Sequence, residues 1–126
     1  MNKIAVIAHD NFKPNLLEFL KGKKSWFFGR EIVATGRTAS FLEDGDLNLP
    51  LIHVNKGSDG GYLQIIEMIK NKEVSIVFFF RDANIVQPYH EDINQLLNTC
   101  DLENIPLLQG LNSWLRIHLN LPLTSF

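Results

Sequence analysis

Five short apolar runs, spaced by helical patterns, constrain this chain more tightly than any single motif in it. Lys3–Ala8 (KIAVIA), Glu31–Ala34, Leu51–Val54, Ser75–Phe80 and Ile105–Leu108 read as strands, because each is short, continuous and rich in apolar residues rather than alternating. Between them, Leu16, Leu17 and Leu20, then Phe41 and Leu42, then Tyr62, Ile65, Ile66 and Ile69, then Ile93, Leu96, Leu97 and Cys100 predict helices. A last amphipathic helix is expected near Ser113–Leu119. Strands alternating with helices need crossover connections. The expected fold is therefore α/β, a three-layer, five-stranded parallel sheet with helices on both faces. Ser75–Phe80, the most hydrophobic run, should be a central strand, and Pro106 should mark an edge or a strand beginning. Lys21–Lys24 reads as a solvated loop, pinned to the core by Trp26, Phe27 and Phe28.

With 126 residues the chain suffices for one domain, residues 1–126, with one core. Twelve basic against fourteen acidic residues give a net charge of −2, which argues against a nucleic-acid partner. Cys100 stands alone, so no disulfide forms within the chain, and a reducing, cytoplasmic setting is expected. A strand begins almost at the first residue, leaving no room for a signal peptide. No apolar run approaches the roughly 20 residues that span a bilayer, so no membrane association is expected.

In a parallel sheet of this kind, ligands sit beyond the carboxyl ends of the strands. The residues placed there are His9, Asp10 and Lys13 after the first strand, and Thr35, Gly36, Arg37 and Thr38 after the second. After the third comes Lys56-Gly57-Ser58-Asp59-Gly60-Gly61-Tyr62, and after the fourth Arg81, Asp82, His90 and Asp92. Three glycines in five residues allow a tight turn and close approach of backbone to a ligand. The helix that follows points its free N–H groups and positive dipole end into that turn. Cations, hydroxyls, glycine amides and carboxylates on one rim suit a small phosphorylated ligand beside acid–base chemistry. Other polar residues read as structure. Asp10 and Asp59 suit helix N-caps, Asp92 suits a helix dipole, and His53 and His118 are expected in the core or at an interface.

Four of these stretches resemble the methylglyoxal synthase family: Ile4-Ala5-Val6-Ile7-Ala8-His9-Asp10 with Lys13, Ala34-Thr35-Gly36-Arg37-Thr38, Val77-Phe78-Phe79-Phe80-Arg81-Asp82, and Asn104-Ile105-Pro106. The likeness runs to about residue 119. It implies a methylglyoxal synthase-like, Rossmann-like domain and a lyase that converts dihydroxyacetone phosphate to methylglyoxal and inorganic phosphate. No metal site and no cofactor are implied. The family's chemistry takes a proton from beside the carbonyl onto a carboxylate, steadies the enediolate with neutral donors, and expels phosphate. By position, Lys13, Thr35, Gly36, Thr38 and Gly57 would hold phosphate, joined here by Arg37, Lys56 and His90. His9 and Asp10 would line the site, and Asp82 and Asp92 would be supporting carboxylates. Assembly as a homohexamer is also implied.

The chain departs from the family where chemistry is concerned. The family's Gly-Gly-Asp carries its catalytic base, and here the loop reads Gly60-Gly61-Tyr62. A tyrosine of ordinary pKa, about 10, is almost wholly protonated at neutral pH. Arg37 and Lys56 replace a threonine and a serine of the family pattern, and Tyr89 aligns with its histidine beside His90. Two readings follow. One is a methylglyoxal synthase with a relocated base, Asp59, Asp10 or Asp82. The other is a non-catalytic module that binds a phosphorylated metabolite or nucleotide.

Overall fold

The computed structural model describes residues 3–82 and 90–109, without the side chain of His90. The helix expected near Ser113–Leu119, together with His118, Tyr89 and the His90 side chain, lies outside the described residues. Strand β1 (Lys3–Ala8) leads through a one-turn 3-10 helix to α1 (Lys13–Gly22) and the short α2 (Lys24–Phe27). Then come β2 (Glu31–Ala34), α3 (Gly36–Asp44), β3 (Leu51–His53), α4 (Gly61–Lys70), β4 (Val74–Phe80), α5 (His90–Leu102) and β5 (Leu107–Leu108).

All strand pairs are parallel, in the order β3-β2-β1-β4-β5. β1 and β4 form the long central ladder, from Lys3↔Val74 to Ala8↔Phe80. The chain leaves β1 toward β2 and β3, then crosses back to β4 and β5. The crevice where strand order reverses therefore opens at the carboxyl ends of β1 and β4, the natural ligand position of such sheets.

Side-chain alternation along β1 divides the core into two layers. Ile4, Val6 and Ala8 pack with Ile32, Ala34 and Phe78 under α1 and α3. Ala5 and Ile7 pack with Val77 and Phe79 under α4 and α5, against Ile65, Ile69, Ile93, Leu96 and Cys100. With both sheet faces covered, the strands read as unbroken apolar runs. Fully burying each large side chain contributes about 1.5–3 kcal/mol. Burial also raises the Cys100 thiol to about 12, so it is packing material rather than a nucleophile.

Several local expectations change. Residues 21–24 are not a loop, since α1 runs to Gly22 and α2 starts at Lys24. Phe27 is fully buried and Trp26 packs beside it, whereas Phe28 is 79% exposed, because the chain turns outward after α2. His53 is not in the core. It is exposed on edge strand β3 and bonds Glu43 at 2.7 Å. Pro106 stands just before β5, an edge strand, and its carbonyl accepts the Val77 N–H at 3.0 Å. Among the described residues, no helix is long and apolar enough to cross a membrane.

Candidate functional site

The five buried polar side chains among the described residues are His9, Lys13, Thr35, Thr38 and Thr99, and the first four meet at the carboxyl ends of β1 and β2. They line a cavity of about 220 Å³ together with Asp10, Arg37, Gly57, Ser58 and Tyr62. Buried polar groups cluster only where partners hold them, and the partners here are specific. Lys13 is 7% exposed. Its ammonium donates to the Ala8 carbonyl at 2.6 Å and to Asp10 Oδ1 at 2.9 Å. The other Asp10 oxygen accepts from Arg37 Nη2 at 2.6 Å. Asp10 thus bridges two cations. The Lys13 hydrogen bond is the main cause holding its carboxyl below the usual range, with Arg37 adding to it. Lys13 itself is also lowered, because burial takes more from the ammonium than Asp10 returns.

Two threonines tie the second strand's end to the first. Thr35 Oγ1 lies 3.2 Å from Thr38 Oγ1, and Thr38 Oγ1 accepts the Ala8 N–H at 3.3 Å. Thr35 is the N-cap of α3, so that helix directs its first turn at the cavity through Arg37 and Thr38. Neither acidic N-cap forms. The one-turn helix after β1 starts with Asp10 itself, capped by His9, and Asp10 spends its oxygens on Lys13 and Arg37. At α4 the N-cap is Gly60, with φ +89°, and Asp59 ends the turn before it.

His9 is fixed from the far strand. The Asp82 backbone N–H donates to His9 Nδ1 at 2.8 Å. Because an amide can only donate, Nδ1 accepts, and the neutral ring carries its proton on Nε2. Burial, with Lys13 and Arg81 adding to it, lowers the His9 pKa and keeps it neutral. Nε2 is buried without a hydrogen-bond partner among the described residues. An unspent donor on a neutral imidazole at the cavity wall suits developing negative charge on a ligand oxygen.

The glycine loop contributes less than its composition suggests. Gly57 and Ser58 line the cavity, but Lys56, Asp59, Gly60 and Gly61 do not. The Gly61 N–H, expected to face a ligand, is bonded to the Lys56 carbonyl at 2.8 Å. Close packing explains two of the glycines. A Cβ on Gly61 would collide with the Asn55 carbonyl, and one on Gly57 would sit 2.5 Å from the Tyr62 ring. Tyr62 is 4% exposed. Its ring stacks on Phe79 at 5.9 Å and lines the cavity.

Of the carboxylates expected near the chemistry, Asp10 alone lines the cavity. Asp82 stands beside it and turns its Oδ2 to Asn11 Nδ2 at 2.8 Å. Asp92 is half-buried in the first turn of α5. Gly36 lies just outside, its N–H on the Asn55 carbonyl at 3.2 Å. Ser58 stands on the expected rim but carries no expected role, and Asn11 is not expected there, because neither residue is a glycine or a charge. Among the described residues, no group of three His, Cys, Asp or Glu side chains could hold a metal ion.

Known proteins resemble this chain in sequence and in fold. A family model described as MGS-like domain matches residues 15–109. The chain is 37% identical over 113 residues to a methylglyoxal synthase of Carboxydothermus hydrogenoformans, covering 90% of this chain and 93% of that protein. It is 36% identical over 109 residues to a methylglyoxal synthase of Ralstonia nicotianae, covering 86% and 80% of the two. The crystal structure of methylglyoxal synthase from Elizabethkingia anophelis superposes with a TM-score of 0.83 at 28% identity, over 98% of this chain and 80% of the other.

Proposed function

The chain belongs to the MGS-like domain family, and from that membership we propose that it is a carbon–oxygen lyase converting dihydroxyacetone phosphate to methylglyoxal and phosphate. One observation carries this reading: Lys13, Arg37, Thr35, Thr38, Gly57 and Ser58 surround the same cavity as His9 and Asp10. Phosphate would be held by the Lys13 and Arg37 cations and the hydroxyls at the start of α3. Charge-assisted bonds of this kind are roughly twice as strong as neutral ones.

The reaction then needs a base, and Asp10 is the carboxylate in position. It takes a proton from the carbon beside the carbonyl, and the electrons move into the carbonyl oxygen to give an enediolate. The His9 Nε2–H donates to that oxygen. The hydroxyl proton on the deprotonated carbon passes to the former carbonyl oxygen, and a new C=O forms on that carbon. The double bond shifts to break the C–O bond to phosphate, which leaves with the electron pair. The remaining enol takes up a proton and becomes methylglyoxal. Asp10 in the free enzyme is a weak base, since Lys13 and Arg37 stabilise its charged form. A substrate phosphate that draws both cations to itself relieves Asp10 of them and raises its basicity. The reading includes a cytoplasmic homohexamer that uses no metal or organic cofactor.

The decisive measurement is turnover of dihydroxyacetone phosphate, following methylglyoxal and inorganic phosphate together. Equal release of both, lost in Asp10→Asn, is expected. Absence of either product above a buffer blank would overturn the lyase.

Tyr62 favours a second reading. A phenol is ordinarily protonated at neutral pH and cannot replace a carboxylate base. The fold would then be a binding module for a phosphorylated metabolite or nucleotide. That reading expects no turnover, and stabilisation of about 2.7 kcal/mol at a hundredfold excess of ligand over Kd.

A further inference from the structure

A second cavity, of about 410 Å³, opens directly beside the first and shares Asp10, Lys13 and Arg37 with it. Its own walls are Gly36, Ser40, Phe41, Asp44 and Lys56. Arg37 stands on the partition between the two, with its side chain 62% exposed. Lys56 reaches this wall because α3 begins with a glycine. A Cβ on Gly36 would sit 3.2 Å from both the backbone nitrogen and the Cγ of Lys56. Among the described residues Lys56 forms no ion pair. Three cations thus face two carboxylates in this cavity, and one of those carboxylates, Asp10, is already bonded to Lys13 and Arg37.

We infer that this adjoining cavity is a second anion subsite, with Lys56 as its anchor and Arg37 shared between the two. Resting on the proposed phosphate site, the inference adds a second ligand class beside the substrate: a small compound with a phosphate at one end and a second anionic group, phosphate or carboxylate, at the other. Asp44, at the far end of α3, keeps the second group at the Lys56 end by like-charge repulsion. Dihydroxyacetone phosphate carries only one such group and leaves this subsite empty.

Calorimetric titration at low salt with glycerol 3-phosphate, 3-phosphoglycerate and propane-1,3-diol bisphosphate tests the inference. The last two are expected to bind about tenfold more tightly than the first, which is about 1.4 kcal/mol. Lys56→Gln should cancel that gain while changing glycerol 3-phosphate affinity less than about threefold. A preference for 3-phosphoglycerate over the bisphosphate would identify the second group as carboxylate, and the reverse order as phosphate. Equal affinity for all three, or a gain that survives Lys56→Gln, would overturn the second subsite. Failure of glycerol 3-phosphate to bind at all would instead remove the phosphate site on which it rests.

Discussion

The two halves of the cavity are built in opposite ways. The half at the ends of β1 and β2 is a closed polar network in which His9, Lys13, Thr35 and Thr38 are buried and all hydrogen-bonded. The half supplied by the loop between β3 and α4 is shaped by close packing. Gly57 is backed by the Tyr62 ring, and Tyr62 is stacked on Phe79. The first half holds every charged group of the cavity, so it suits anion binding. The second sets the cavity's depth with the Tyr62 ring. Charge and shape are therefore supplied by different halves, which makes their division testable by substitution.

The largest expected effect is on the network half. Asp10→Asn should lower turnover by about 10²–10⁴, while inorganic phosphate binds as well or better because a negative charge has gone. Loss of phosphate binding together with turnover would show that Asp10 serves to hold the two cations in place rather than as the base. On the packed half, Tyr62→Asp should raise turnover by about 10², since it adds a second carboxylate beside an intact phosphate seat. No gain in the initial rate would mean that proton abstraction is not what limits this chain.

Gly57→Ala drives a methyl group into the Tyr62 ring and should cost about 1–3 kcal/mol in a urea melt, as overpacking does. The double change Gly57→Ala with Tyr62→Leu should recover most of it. A pH series gives a smaller effect. His9 has its pKa lowered by burial, so between that value and the unfolded 6.5 the unfolded chain binds more protons. Stability should therefore be intact above about pH 6.5 and fall as pH drops below it. His9→Gln should flatten the dependence of Tm across that window, and an unchanged slope would show His9 free of the burial described. Least of all, Asp59→Asn, exposed and outside the cavity, should shift stability by less than about 0.5 kcal/mol and phosphate affinity less than twofold.

Much of this was legible in the sequence because it depends on short-range regularities. The runs KIAVIA and EIVA appear as strands with the expected bounds, and the apolar spacing after Gly61 appears as α4. Once the strands are parallel and sequential, their carboxyl ends must share a rim. That is how His9, Asp10, Lys13, Thr35, Arg37, Thr38 and Gly57 could be placed together before any contact was known. Less legible was what each polar group does on arrival. Asp10 and Asp59 both look like helix caps by local rules, yet neither caps a helix, because Lys13 and the distant Arg37 claim one and a glycine takes the other's place.

The sequence by itself determined the α/β layering, the common rim and the absence of a carboxylate after Gly61, since each follows from residue identity and spacing along the chain. Only the tertiary structure decided that Asp10 would bridge Lys13 and Arg37, that the Asp82 amide would fix the His9 tautomer, and that Asp59 and Lys56 would stand outside the main cavity. Those outcomes join residues 27 and 73 positions apart. Contacts of that range are set by sheet register and by burial, which no local pattern encodes.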